Sequence, residues 1–317
     1  MFSFFRRKSA AKGGAPTARG AVPDTTPEDD ILSSPVFEIS VSCKTDVGCV
    51  RELNEDSVRV VRPGSPAELA RKGVLVMVCD GMGGHAGGEV ASKLAVETIG
   101  ERYMKSPLPP TPALRDALLS ANSVIFEAAK RDASLHGMGT TGTALVLRGS
   151  SALYAHVGDS RLYLVRGEGI YQMSEDHSAV MELVRRGLLS PTEARHHPQK
   201  NVVLRAVGTQ PKVEVSSWDE PFPLKLGDKW LLCSDGLSDL VEDEELQTAL
   251  HLHGLDAAGD SLIALARSRG GHDNISVVIA EILPLQNDET KGVEIITTDA
   301  ENKNAGVPVE TREVKTK

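Results

Sequence analysis

Four short acidic turns hold the chemistry that this chain can do. The apolar run Val74-Leu75-Val76-Met77-Val78-Cys79 delivers Asp80-Gly81, and Trp230-Leu231-Leu232-Cys233-Ser234 delivers Asp235-Gly236. Asn54-Glu55-Asp56 and His272-Asp273-Asn274 are two further acidic turns. Short apolar runs with β-branched residues and no helical period read as buried strands. Glycine directly after a carboxylate lets the chain turn sharply and lets another group approach closely. Carboxylates gathered at strand ends cannot all stay ionised near neutral pH unless a cation neutralises them. Mg²⁺ and Mn²⁺ take oxygen ligands of this kind. The pattern predicts a carboxylate-bound metal centre on a β-scaffold.

Other chemistries fit less well. Gly81-Met82-Gly83-Gly84-His85-Ala86 matches G-x-G-x-x-A between a strand and a helix, the dinucleotide context. Asp80 would point its charge at the pyrophosphate, and a second helix follows where a βαβ unit needs a strand. A cysteine-dependent phosphatase needs arginine six positions after its cysteine, and none of the four cysteines has one. H-E-x-x-H and G-x-S-x-G are both absent. Arg51, four residues before Glu55, is either a surface ion-pair residue or a phosphate clamp, since guanidinium matches phosphate oxygens in a bidentate way.

The elements that must position these turns follow from periodicity. Strands are predicted at residues 38–44, 56–61, 74–79, 143–148, 152–157, 161–166, 170–174, 213–217, 229–234 and 274–283. A first helix is predicted over 88–104. A second starts with Thr111 as N-cap and Pro112 at the first helical position, with Leu114, Ala117, Leu118, Ala121, Ile125 and Ala128 as its stripe. Two more are predicted at 243–253 and 257–268. Hairpin-linked strands with helices segregated in pairs indicate an α+β fold, two antiparallel sheets packed as a sandwich with helix pairs outside. Residues 1–35 and 285–317 are patternless and polar and read as disordered tails around a folded unit at 36–284. The first tail carries Arg6, Arg7, Lys8, Lys12 and Arg19, a tip that would suit a membrane surface or a partner, though a plain flexible tail is the simpler reading.

Composition sets the outer bounds. A chain of 317 residues with 40% hydrophobic content can build a large aliphatic core. A net charge of −9 argues against non-specific binding to nucleic acid or anionic membrane. Cys43, Cys49, Cys79 and Cys233 form no CxxC pair, so a structural zinc site is not expected, and a reducing, cytoplasmic compartment is. No apolar stretch is long enough to span a membrane. The N-terminus lacks the order of a signal peptide.

At this point the residues resemble one family. Thr45-Asp46-Val47-Gly48-Cys49-Val50-Arg51-Glu52-Leu53-Asn54-Glu55-Asp56 is similar to the opening motif of metal-dependent serine/threonine protein phosphatases, the PPM or type 2C family. Cys79 to His85, Gly139-Thr140-Thr141-Gly142-Thr143, Val157-Gly158-Asp159-Ser160-Arg161, Ser234 to Asp239 and Gly271 to Ser276 resemble its later motifs, in order. The resemblance implies a β-sandwich flanked by helix pairs, and hydrolysis of phosphoserine and phosphothreonine by direct water attack with two Mn²⁺ or Mg²⁺ ions. It implies that Asp80 bridges the metals and that the Gly81 carbonyl binds one. Asp235 and Asp273 would complete one shell, Glu55 would support the other, and Asp56 would stand behind them. Asp159 with Asp235 would hold a third ion, as in bacterial members. Arg51 would hold the substrate phosphate. The animal form has histidine directly after Asp-Gly; here Met82 stands there and His85 lies further on, as proton donor to the leaving oxygen or as a helix-entry residue.

The implied partners are phosphorylated proteins, including serine/threonine kinases, with no nucleic acid and a monomeric chain. Residues 176–212 match the family's variable flap. Arg185, Arg186, Arg195, Lys200, Arg205 and Lys212 would make it a basic lid, or an ordinary solvated insert. Two alternatives remain: a catalytically inactive phosphopeptide-binding module, and a partner-switch phosphatase with one dedicated target. A two-metal nuclease would want a basic groove, which the acidic balance disfavours.

Overall fold

The computed structural model describes residues 37–83 and 87–285; His85 and all of the two predicted tails except Leu285 lie outside them. In chain order the strands are β1 (Phe37–Asp46), β2 (Asp56–Val61), β3 (Val74–Met82), β4 (Gly139–Thr140), β5 (Gly142–Arg148) and β6 (Ser151–Val157). They continue with β7 (Arg161–Arg166), β8 (Gly169–Gln172), β9 (Ser216–Ser217), β10 (Phe222–Pro223), β11 (Lys229–Cys233) and β12 (Ile275–Pro284). The helices are α1 (Pro66–Lys72), α2 (Gly87–Lys105), α3 (Pro110–Arg131), α4 (Ala179–Arg185), α5 (Pro191–Arg195), α6 (Asp235–Ser238), α7 (Asp243–Leu252) and α8 (Leu255–Ser268).

One sheet has the order β1-β12-β11-β7-β8 and the other β10-β6-β5-β3-β2, with β4 and β9 attached at its flanks. Their strands pair antiparallel, as the hairpin pattern predicts. Strand β3 shows why its sequence is apolar at every position. Leu75, Met77 and Cys79 face Ile99 of α2 and Leu118 of α3, while Val76 and Val78 face Leu145, Trp230 and Val278 between the sheets. Alternating side chains buried on both faces give a continuous apolar run. On the far side, Leu231 and Val277 pack against Leu246 of α7 and Leu262 of α8. The result is helix pair, sheet, sheet, helix pair. Cys79 and Cys233 are buried core residues. No described helix is long and apolar enough to cross a membrane.

Three local expectations need correction. Helix α3 begins at Pro110 with Pro109 as its cap and no side-chain cap bond, not at Thr111. Pro112 then falls in the first turn, where a missing N–H costs no intrahelical bond. The strand predicted at 213–217 shrinks to Ser216–Ser217, because only those residues find a neighbour, in β6; Val215 instead packs into the helix-side core. Helix α1 was not foreseen, although Ser65 accepts a hydrogen bond from the Glu68 N–H at 3.2 Å as a helix cap should.

Leu145 is fully buried in the inter-sheet layer. Leu145→Ala should destabilise the fold by about 2–5 kcal/mol, read from urea denaturation midpoints at unchanged slope. A loss below about 1 kcal/mol would mean that the layer closes around the gap.

Candidate metal centre

The strands that carry the acidic turns finish at one end of the sandwich. Asp56 and Asp80 stand directly opposite each other across the β2–β3 pair, a placement in which like charges repel. Asp235 follows β11, and Asp273 precedes β12, the neighbour of β11. Asp159 precedes β7, which borders β11 on its other side through Arg161 opposite Cys233. One cleft of about 570 Å³ is lined by Arg51, Glu55, Asp80, Gly81, Asp159, Asp235 and Asp273, together with Glu52, Leu53, Met82, Gly83, Asn201 and Val203. Of the predicted site residues, Asp56 does not line it. It is buried, and its carboxylate accepts a hydrogen bond from Ser234 Oγ at 2.8 Å.

Burial first, and then the crowding of acids, sets the electrostatics. Burial pushes the Asp80 carboxyl well above its ordinary range, and Asp56, Asp235, Asp159 and Asp273 push it further. Asp235 is raised by burial and then by Asp159, Asp239 and Asp273. Burial, with Asp176 and Asp239, pushes Asp159 up to about 7. Asp56 is pushed up to about 6 by burial, against hydrogen bonds from Ser276 and Ser234 that pull it down. Glu55 is raised by burial while Arg51 pulls the other way. Arg51 donates to Asp273 at 2.8 Å, the one cation among the cleft's lining residues.

Backbone packing holds this charge in place. A side chain at Gly81 would strike the Gly88 carbonyl at 2.2 Å and the Glu55 carbonyl at 2.4 Å, so only glycine fits between them. At Gly236 it would meet the Asn274 carbonyl at 2.0 Å. The Asp80 N–H donates to Thr141 Oγ1 at 2.8 Å, and the Asp80 carbonyl accepts from Thr140 Oγ1 and the Thr141 N–H, both at 2.8 Å. Thr141 also hydrogen-bonds Ser160, beside Asp159.

Several of these positioning residues received no role from the sequence. Asn274 is the clearest: its side chain accepts from the Glu55 N–H at 2.8 Å and donates to the Val47 and Leu53 carbonyls. It pins the loop bearing Arg51 and Glu55 to the start of β12. Its place directly after Asp273 was the available signal. Asp176 grips Arg161 through both carboxylate oxygens, fixing the turn that carries Asp159.

The donor set fits hard divalent cations. Half a dozen carboxyls share one cleft with a single guanidinium, and Glu55 Oε1 is buried with no hydrogen-bond partner. Among the described residues no three such side chains already stand closed around one point, so the centre is a charged pocket and not a finished cage.

Comparison with known proteins agrees with this reading. Residues 52–261 match protein phosphatase 2C. The chain is 38% identical over 244 residues to the serine/threonine phosphatase stp of Listeria innocua, covering 75% of this chain and 94% of that one. The crystal structure of the Mycobacterium tuberculosis serine/threonine phosphatase PstP/Ppp superposes with a TM-score of 0.69 at 36% identity, covering 77% of this chain and 99% of that one. The catalytic domain of PstP in complex with two manganese ions gives a TM-score of 0.66 at 34% identity over 78% and 99% of the two chains. The chain belongs to the protein phosphatase 2C family of metal-dependent serine/threonine phosphatases.

Proposed function

We propose that residues 36–284 form the catalytic unit, with 176–212 as its flap, and that Mn²⁺ or Mg²⁺ is held by the acids of the cleft. Asp80, the Gly81 carbonyl, Asp235 and Asp273 would hold the ions, with Glu55 in support. Asp159 with Asp235 has the charge to hold a third. The observation that carries this is the gathering of acids around Asp80 in one cleft, which bound cations would let stay ionised together.

Bound divalent cations supply Lewis-acid charge and lower the pKa of water at the site. The chain's own residues do the rest. Arg51 lies in the cleft beside Asp273 and presents a guanidinium to the non-bridging phosphate oxygens, where charge accumulates during transfer. Asp56, held by Ser234, adds acidic charge across the strand pair from Asp80. Asn274 and Thr141 fix the backbones of Glu55 and Asp80, so the acids need no reorganisation as substrate enters. His85, outside the described residues, is the candidate proton donor to the leaving serine or threonine oxygen. The substrates are phosphorylated proteins, kinases among them, met in the cytoplasm by a monomeric enzyme.

Turnover of an aryl phosphate should require Mn²⁺ or Mg²⁺ and stop on chelation. Asp80→Asn should lose more than the ~10–100-fold that removal of an outer partner costs, and robust activity in that variant would refute its bridging role. Arg51→Ala should chiefly raise KM for small phosphoesters, as loss of uniform binding does; an unchanged KM would reduce Arg51 to an ion-pair residue.

Proton linkage gives an independent readout. Asp159 and Asp56 sit at about 7 and about 6 in the fold, above the ~3.9 of an unfolded aspartate. Without metal, the stability from these protonated carboxyls is full below about pH 4 and is lost as pH rises through about 6 and 7. Cations bind the ionised form, so the rise in Tm on adding Mn²⁺ should grow over that window. Melting curves with and without chelator check this; a gain that does not change with pH would exclude the linkage.

A further inference from the structure

The flap's charges are largely engaged within the molecule. Arg185 and Arg186 pair with Glu182, Arg195 with Glu242, Lys200 with Asp239 and Arg205 with Glu214. Beside these pairs, the flap and the facing loop expose apolar side chains. Leu53 lines the cleft and is 49% exposed, and Val50, on the other side of Arg51 in sequence, is 67% exposed. Val203 lines the same cleft from the flap, and its neighbours Val202 and Leu204 are 46% and 58% exposed.

This apolar segment of the flap is anchored. Val203 bridges to Ser178, the Ala179 N–H donates to the Val202 carbonyl at 2.8 Å, and the Leu204 N–H donates to the His177 carbonyl at 2.7 Å. His177 in turn donates its backbone N–H to the Gly158 carbonyl and accepts the Gly158 N–H on Nδ1, next to Asp159. Leu53 is held through its backbone by Asn274, which donates to its carbonyl at 2.9 Å. Two apolar side chains on anchored backbone thus line the same cleft as the Arg51 guanidinium. Glu52, which has no part in holding cations, stands in the same wall, so acidic neighbours of a phosphorylated residue would be repelled there.

Resting on the phosphatase reading above, we propose that Leu53 and Val203 form a docking surface for the residues that flank the phosphorylated side chain, so that this enzyme prefers phosphoserine or phosphothreonine with large apolar neighbours. The surface continues the catalytic cleft, and its charge selects the flanking sequence: apolar side chains bury Leu53 and Val203, while acidic ones meet Glu52.

The test uses the full chain with Mn²⁺, an aryl phosphate and three phosphothreonine peptides whose flanking residues are leucine, serine or glutamate. The leucine peptide should exceed the serine peptide in kcat/KM by about tenfold, the scale of a single apolar contact, with the glutamate peptide lowest. In Leu53→Ser the preference for leucine should shrink to about twofold, measured against aryl phosphate turnover of the same preparation. Equal kcat/KM across the three peptides, or a Leu53→Ser effect shared in proportion by the aryl phosphate, would overturn the docking role while leaving the phosphatase reading intact. So would concentration-dependent self-association in light scattering that Leu53→Ser abolishes, which would make a second copy the occupant. Absence of any turnover, aryl phosphate included, would instead bring down the function on which the inference rests.

Discussion

Crowded negative charge is the constraint around which the rest of this molecule is arranged. Asp56 and Asp80 face each other on adjacent strands, and Asp235, Asp159 and Asp273 close on them from the second sheet. Such a cluster works against folding, and buried carboxyls respond by keeping their protons. The core must therefore be strong enough to hold an unfavourable arrangement in place. Two sheets with apolar contacts on three layers supply that strength. A site of this kind is strained when empty and relaxed when neutralised, which makes cation binding and structural stability parts of one equilibrium.

The strain is confined by short polar links. Thr141 ties the Asp80 backbone to the turn bearing Asp159. Asn274 ties the Glu55 loop to the strand after Asp273. Each link joins elements far apart in sequence, so the acids come from both sheets yet behave as one unit. Glycine contacts do the same with no side chain at all: Gly81 and Gly236 let backbones approach to distances that any Cβ would forbid.

Much of this was legible in the sequence. Strands β2, β3, β5, β6 and β7 fall within a residue or a few of their predicted bounds, because buried apolar alternation is a local signal. Asp80 and Asp235 were legible as Asp-Gly pairs after apolar runs and Glu55 and Asp273 as acidic turns, whereas Asp159 was named only through the family resemblance. The register that sets Asp56 against Asp80 could not be read, since pairing partners depend on contacts between distant segments. The role of Asn274 was hidden for the same reason: its three partners lie over two hundred positions away. Helix α1 was a different kind of miss. Ser65-Pro66-Ala67-Glu68 carries a capping pattern that local reading could have caught. The cations of residues 176–212 were visible as a row of positive charge, but their acidic partners, Glu242, Asp239 and Glu214, became apparent only in three dimensions.

The ten-residue ladder between β1 and β12 has a consequence for how the enzyme can be tethered. It pairs Phe37 with Pro284 at one end and Asp46 with Ile275 at the other. The latter end adjoins the acids, so the chain enters and leaves the fold side by side, roughly 30 Å from the cleft by strand rise. A tether taken off at Phe37 or Pro284 would start from that remote edge. A pulling force between the two attachment points would load the β1–β12 hydrogen bonds one pair at a time, from the remote edge inward, and would reach the catalytic end last.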